Sequence, residues 1–269
     1  MPRTRYLLAG VLRRVSERLK LSVLGVQDYV TLCGKGLHAL ATPPRYRREV
    51  LAQMDSLGVG SLSIVVLTGM FTGMVLALQS AASLDAFGAR PYVGRLVCVS
   101  MIRELGPVLT ALMVTGRVGS GMAAELGSMV VTQQIDALRV LGSDPVRKLV
   151  APRILAGMVM VPILTIISDT LGIFGGGLIS VFSLKLSWIY YWRSVAGAIV
   201  LNDLVMGLGK PVAFGFILAS VGCHMGLRTT GGTQGVGAST TRSVVAASVT
   251  ILAADFFMTK LLLILFPVA

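Results

Sequence analysis

Long stretches of the chain carry almost no charge, and they alternate with short segments in which charged residues gather. About 20 apolar residues are needed to cross the hydrocarbon core of a membrane. Five stretches are long enough, and they predict transmembrane spans at about 57–84, 96–124, 154–184, 194–227 and 243–266. The pattern therefore predicts an all-α integral membrane protein with a five-span domain over residues 51–269.

The first 50 residues follow a different pattern, which predicts a basic region on the membrane surface. Apolar residues recur there at spacings of three and four, at Leu8, Leu12, Val15 and Leu19, with basic residues between them. This spacing is typical of an amphipathic helix whose cationic face lies among lipid headgroups. We therefore expect residues 1–50 to form an N-terminal interfacial region.

Two other interpretations of this region agree less well with its charges. A secretory signal peptide needs an uninterrupted apolar core, which Arg13 and Arg14 cut short. A sixth span over residues 21–40 would carry Asp28 and Lys35 into the membrane, which is costly. An interfacial helix is favoured for both segments.

Composition agrees with a membrane protein and adds its orientation. Of the 269 residues, 54% are hydrophobic and only 13% are charged, which excludes a disordered chain, an ordinary cytosolic enzyme and a solvated nucleic-acid-binding module. The net charge is +12, from 24 Lys and Arg against 12 Asp and Glu. With the N-terminus inside, the cytoplasmic segments hold 17 basic residues and the outer segments hold five. The positive-inside rule therefore predicts a cytoplasmic N-terminus and a periplasmic C-terminus.

The connection between spans 2 and 3 has helix start and stop signals. Residues 124–141 form one predicted helix, with Gly142 as its C-cap. Asp144 and Pro145 then match an N-cap followed by proline at the first helical position. Two hypotheses remain open for this segment: a loop helix that rests on the membrane, and a docking element for a cytoplasmic partner.

The chain lacks the motifs that would indicate catalysis. It contains no phosphate-binding loop, because the lysines at Gly34-Lys35 and Gly209-Lys210 have neither the upstream glycine nor the following Ser or Thr. With two histidines and three scattered cysteines, no metal site is predicted. We expect a non-catalytic subunit that binds neither a metal ion nor a cofactor of its own.

A few ionisable residues lie inside the predicted spans, where charge is costly and usually functional. Arg103 and Glu104 precede Pro107, which cannot donate a hydrogen bond to the carbonyl of Arg103, so a kink is expected there. Lys210 and Pro211 repeat the arrangement in the fourth span. The charges in span 2 have two open interpretations: a contact with a charged headgroup, or a salt bridge that fixes helix packing.

Several motifs together resemble the MlaE permease family of MCE-associated ABC transporters. They are IRELGPVL at 102–109, GRVGS at 116–120, AELG at 124–127, QIDAL at 134–138 and TTRSVV at 240–245. The resemblance implies a homodimeric permease in the bacterial inner membrane that moves phospholipids between this membrane and the outer envelope and maintains outer-membrane lipid asymmetry. It also implies an ABC ATPase that binds ATP and Mg²⁺, a periplasmic MCE-domain protein and a small STAS-domain protein as partners.

The resemblance also implies roles for particular residues. The lipid path would include Arg103, Glu104 and Arg242, and walls from the uncharged first span, namely Leu76, Gln79 and Leu84. The segment 125–145 matches the family's coupling helix, so the ATPase contacts would include Glu125, Gln134, Asp136, Arg139 and Asp144. Gln133 departs from the pattern, because relatives often carry an acidic residue there.

A different class of function remains as an alternative. The chain would then be a membrane scaffold that anchors lipid-binding partners without itself forming the lipid path. A membrane-bound enzyme is a third hypothesis, which the missing catalytic motifs disfavour.

Overall fold

The computed structural model of the protein describes residues 2–42 and 46–265, which are almost entirely helical. Ten α-helices are described: α1 (Pro2–Ala41), α2 (Arg47–Asp85), α3 (Val93–Ser100), α4 (Gly106–Val114), α5 (Ser120–Val131), α6 (Gln134–Val140), α7 (Ala151–Phe182), α8 (Trp188–Ala196), α9 (Leu201–Leu227) and α10 (Gly232–Leu265). The predicted amphipathic side-chain pattern at residues 8–20 and the predicted outer tail at 267–269 fall outside the part that can be described, apart from the exposed Lys20.

Three π-helical turns extend these helices without breaking them. Turns at Met101–Leu105 and Thr115–Gly119 join α3, α4 and α5 into one continuous helical run, and a turn at Val146–Val150 leads into α7. π-Turns widen a helix locally, occur often at functional sites and change which backbone carbonyls are paired. Two of the three turns contain charged residues discussed below.

Five helical runs are long and apolar enough to cross a membrane, which confirms the predicted all-α architecture with five spans. They are Arg47–Asp85, Arg90–Val131, Val146–Phe182, Asn202–Leu227 and Gly232–Leu265. The largest boundary differences concern the last two. The fourth helix begins at Leu201 rather than 194, because Val200 is extended and Trp188–Ala196 forms a separate helix. The fifth begins at Gly232 rather than 243, since its first turns are polar and hydropathy does not detect them.

The predicted single helix over 124–141 is wrong. The structure ends α5 at Val131 and begins α6 at Gln134, because Gln133 adopts a left-handed conformation with φ of 59°. Such a conformation interrupts the hydrogen-bond ladder of a helix, and few residues other than glycine and asparagine favour it. The coupling segment therefore consists of the end of α5 and the separate helix α6.

Two apolar cores lie on either side of a charged layer, which consists of Arg103 and Glu104 in span 2, Asp203 and Lys210 in α9, and Asp255 in α10. One core includes Leu57, Leu126 and Phe214, and the other is built around Tyr191, whose hydroxyl donates to the carbonyl of Ile173 at 2.8 Å. Along span 2, the charged pair lies between the residues of one core and those of the other. The tightest packing joins α2 to α7, where glycines of both helices meet.

One narrow stripe of α10 contacts the rest of the chain. Its buried residues are spaced by four, at Ser239, Ser243, Ala247 and Ile251. The opposite side is apolar and exposed, at Val245, Val249, Leu252, Phe256, Phe257, Leu261, Leu263, Ile264 and Leu265. This side of the helix is available to lipid or to another subunit.

Candidate functional site

The π-turn at Met101–Leu105 places the charged pair of span 2. Gly106 donates to the carbonyl of Met101, five residues back, and Pro107 has no N–H to donate to the carbonyl of Arg103. Lys210 of α9 occupies this vacant acceptor, since its Nζ donates to the Arg103 carbonyl at 2.9 Å. A side chain from a different helix thus completes the hydrogen bonding of the distorted turn.

Arg103 is paired across helices rather than with its neighbour in sequence. Its Nε donates to Oδ1 of Asp203 in α9 at 2.6 Å, and its Nη2 lies 2.6 Å from the same oxygen. The Asp203 side chain is only 2% exposed. This bond therefore neutralises a carboxylate that is almost completely removed from solvent.

Glu104 belongs to a second group, centred on the buried ammonium of Lys210. Lys210 Nζ donates to Glu104 Oε2 at 2.8 Å and lies 3.0 Å from Asp255 Oδ1 in α10. The hydroxyl of Thr259 donates to the other Glu104 oxygen at 3.2 Å. Spans 2, 4 and 5 are thus connected through one cation, which supports the packing interpretation of the charges.

The headgroup interpretation is also compatible with the geometry, because the two groups are not fully enclosed. The side chain of Lys210 is 1% exposed, whereas that of Glu104 is 42% exposed and that of Arg103 is 25% exposed. The buried partners hold the charges in place, and Glu104 presents part of its carboxylate outward. The roles of Arg103 and Glu104 in a lipid path stay predictions.

Two of the three predicted wall residues lie close to this charged layer. Leu76 and Gln79 line an open groove of about 310 Å³ on α2, together with Leu105 from the π-turn. Leu84 is not part of the groove and packs at the edge of the core around Tyr191. The groove is mainly apolar, so its surface suits an acyl chain.

Arg242 lies at the opposite end of α10 from the charged layer. Thirteen residues, or about 20 Å of helix, separate it from Asp255. It lines a different cavity of about 970 Å³, between α1, α5, α9 and α10, with Tyr29, Arg228 and Thr229. Burial raises the pKa of Tyr29 to about 12, so its hydroxyl stays protonated. This hydroxyl shares a hydrogen bond of 2.8 Å with the hydroxyl of Ser220. The structure does not bring Arg242 together with Arg103 and Glu104.

Pro211 lies inside α9, immediately after Lys210. It removes the hydrogen bond to the carbonyl of Gly207, as any proline in a helix interior does. Gly207 itself packs against Ile102, inside the π-turn of span 2. The two prolines predicted as kink positions therefore lie on helices in direct contact.

The coupling segment ends with the predicted capping residues. Gly142 has φ of +72°, as expected for a C-cap glycine, and Ser143 donates to the carbonyl of Leu138. Oδ1 of Asp144 accepts a hydrogen bond from the N–H of Val146 at 2.9 Å, which confirms its role as an N-cap. Asp144 therefore starts the helical run of span 3.

The predicted ATPase contacts fall into two groups. Gln134, Asp136 and Arg139 are exposed on α6, where Asp136 and Arg139 form an ion pair at 2.8 Å. Glu125 is also exposed, but it pairs across helices with Arg153 of α7 at 2.7 Å. The Arg153 side chain is 3% exposed, so this bond connects the helix before α6 to the beginning of span 3.

Sequence patterns missed the exposed apolar tip of α6. Val140 is 88% exposed and Leu141 is 78% exposed, whereas Ile135 on the same helix is buried. Together with the exposed ion pair, these two side chains form a surface with an apolar part and a charged part. Their signal in the sequence is the Val-Leu pair directly before Gly142.

Comparison with known proteins agrees with this architecture. The family model for the MlaE permease matches residues 50–261. A probable ABC transporter permease protein of Rickettsia typhi is 39% identical over 84% of this chain and 87% of its own length. A similar permease of Synechocystis is 43% identical over 80% and 82%. The intermembrane phospholipid transport system permease protein MlaE of Haemophilus influenzae is 36% identical over 90% and 97%.

The family match covers three of the five spans in full and most of the first and the fifth, together with the charged layer and the coupling segment. Several relatives are more than 30% identical over most of both chains. The chain is a multi-pass membrane protein that belongs to the MlaE permease family.

Proposed function

We propose that this chain is the membrane subunit of an ATP-driven transporter that moves phospholipids between the inner membrane and the outer envelope. One observation carries the proposal: partly exposed charges at Glu104 and Arg103 lie within a span, next to an apolar groove. A phospholipid needs that combination, a polar contact for the headgroup and apolar walls for the acyl chains. The Haemophilus relative, named as a phospholipid transport permease, supports the same substrate class.

The proposed assembly assigns ATP and Mg²⁺ to a separate ATPase. The exposed tip of α6 and the ion pair of Asp136 with Arg139 support docking of that subunit on the cytoplasmic face. Through the bond between Glu125 and Arg153, movement of this segment would reach span 3. An N-terminus in the cytoplasm and a location in the bacterial inner membrane complete this arrangement.

A homodimer is the second part of the proposed assembly. The exposed apolar side of α10 supports contact with a second copy, because it is continuous along most of the helix. A periplasmic MCE-domain protein would accept the lipid, and a small STAS-domain protein would bind the ATPase. Neither outer loop of the described chain is long enough to carry lipid across the periplasm.

Substitution of Glu104 tests the lipid path. Glu104→Gln keeps the shape and hydrogen-bonding capacity of the side chain but removes its charge, and Lys210 retains Asp255 as a partner. Hydrogen bonds to charged groups contribute about 1.5–3 kcal/mol, so we expect lipid transfer by the reconstituted complex to fall about tenfold or more. The measurement is transfer of labelled phospholipid in proteoliposomes, with thermal stability of the purified variant recorded in parallel.

Arg103→Ala is a less selective test, because it leaves the buried Asp203 without its partner. Asp85→Asn, which changes an exposed carboxylate paired with Arg90 at the end of span 1, is the matched control for Glu104→Gln. Normal lipid transfer by Glu104→Gln, together with reduced thermal stability, would show that Glu104 is structural. Lipid transfer and ATP hydrolysis that are both independent of this subunit would contradict the proposed function itself.

Asp136→Lys tests the docking surface. The substitution reverses an exposed charge and places a second cation next to Arg139, which repels it. We expect the ATPase subunit to co-purify at a level reduced about tenfold, or to hydrolyse ATP without responding to lipid, while the permease remains folded. Asp85→Lys is the control, since it makes the same charge reversal at an exposed aspartate that also pairs with an arginine, but at the C-terminal end of span 1 and not on α6. Unchanged co-purification and lipid-stimulated hydrolysis would remove Asp136 from the interface.

A further inference from the structure

A separate apolar cavity lies where α1 ends and where spans 1 and 3 begin. It measures about 360 Å³, and its walls are mainly the side chains of Leu40, Val50, Leu51, Ala151, Pro152 and Leu155. This volume lies within the range of pockets that hold small molecules. All three contributing helical runs end or begin here, at the face where the basic residues place the cytoplasm.

The rim of this cavity is cationic. Arg47 and Arg147 both line it, along with Tyr46, and none of its ten described lining residues is acidic. Arg47 is exposed and has no ion-pair partner within residues 2–42 and 46–265. Arg147 lies 3.6 Å from Asp144, which is half-exposed. An anion at the rim would therefore meet positive charge in excess.

We propose that this cavity binds an anionic phospholipid of the inner leaflet. Its phosphate would lie between Arg47 and Arg147, and part of one acyl chain would enter the apolar cavity. Arginine binds phosphate oxygens with a planar fork of donors, and basic residues next to a membrane attract anionic lipids. An apolar pocket with a cationic rim, placed where a span enters the membrane, complements an amphiphilic anion.

This site is distinct from the charged layer of the proposed lipid path. Asp169, whose carboxylate lies against Gly106 beside that layer, is 22 residues along the helical run from Arg147. That corresponds to about 33 Å at 1.5 Å per residue. A lipid bound at this distance would be a resident ligand rather than transported cargo, and the inference does not depend on the proposed transport function.

A resident lipid here would contact the end of the coupling segment. Arg147 directly follows the helix start that Asp144 caps, so a phosphate on Arg147 would hold α1, span 1 and the start of span 3 together. The bound lipid would thus stabilise the contact between α1, span 1 and the start of span 3, which directly follows the coupling segment.

Lipid binding to the full-length chain, purified in detergent, tests the site. The probes are phosphatidylglycerol and phosphatidylcholine with the same acyl chains, and bound lipid is counted by native mass spectrometry. We expect the wild type to retain phosphatidylglycerol preferentially, and the double variant Arg47→Gln/Arg147→Gln to retain it about tenfold less. Leu155→Trp, which fills the cavity, should reduce binding of both lipids. Arg95→Gln, at an exposed arginine of α3 that does not line this cavity, should change neither.

A photoactivatable phosphatidylglycerol on the wild-type protein gives an answer that does not require the variants to fold. Crosslinks to residues 39–51 and 147–155 would support the site, and crosslinks confined to other regions would overturn it. Retention of phosphatidylglycerol that neither variant reduces would also overturn it. Displacement of the lipid by millimolar inorganic phosphate would show a free-anion site instead.

Discussion

Lys210→Met is expected to be among the most destabilising single substitutions in this chain. The Lys210 side chain is 1% exposed and forms ion pairs with both Glu104 and Asp255, and it also donates to the carbonyl that Pro107 leaves without a donor. Removal of one partner from a buried ion pair typically costs about 3–5 kcal/mol, because a charge remains buried without compensation. We expect the variant to lose most of its folded, monodisperse population in detergent.

Thermal unfolding followed by tryptophan fluorescence, together with size-exclusion chromatography, measures this effect. Lys260→Met is the matched control, since Lys260 is exposed on α10, five residues from Asp255, and should change stability little. The double variant Lys210→Met/Asp255→Leu removes the cation with the more buried of its two carboxylates, so it should recover part of the loss. Equal stability of Lys210→Met and the wild type would refute the structural role of this cation.

Gly73→Ala is expected to have a similarly large effect through packing alone. Gly73 of α2 faces Gly172 of α7, and a Cβ added at position 73 would overlap the backbone carbonyl of Gly172. Backbone cannot rotate away as a side chain can, so the two helices would have to separate. Overpacking a core typically costs about 1–3 kcal/mol, and separation of the most extensive helix contact in the chain should exceed that range.

The control for this substitution is Gly209→Ala. Gly209 is exposed on α9, and a Cβ at that position would have no other atom within 4 Å. Both changes add one methyl group to a membrane helix, so a difference in thermal stability isolates the close approach of α2 and α7. Comparable stability of the two variants would show that these helices tolerate wider separation than the structure implies.

Hydropathy succeeded where a single property along the chain determines the structure. A span must form its backbone hydrogen bonds internally and expose apolar side chains to lipid. The uncharged stretches therefore identified all five helical runs. Local signals were equally reliable at Gly142 and Asp144, because a cap depends on a few neighbouring residues. The single predicted helix over 124–141 failed, since no glycine or proline marks the break at Gln133, which adopts a left-handed backbone all the same.

The partners of the intramembrane charges were beyond any sequence pattern. Arg103 and Glu104 are adjacent in the chain, yet their partners lie about 100 residues away, on α9. Nothing in the local sequence indicates that Lys210 supplies the hydrogen bond that Pro107 removes, or that Arg242 lies at the other end of α10. Proximity between distant segments is a property of how the helices pack.

The sequence by itself determined the membrane class, the number of spans and the family. A span requires a continuous stretch of apolar residues, and the family motifs are long continuous segments, so both can be recognised along the chain. It also located the charges that are unusual inside a membrane. Only the tertiary structure decided which of these charges neutralise each other and which remain partly open, as at Glu104, and where Arg47 and Arg147 meet an apolar cavity. The physical reason is that the cost of a buried charge, and the value of an exposed one, depend on neighbours that folding brings from other helices.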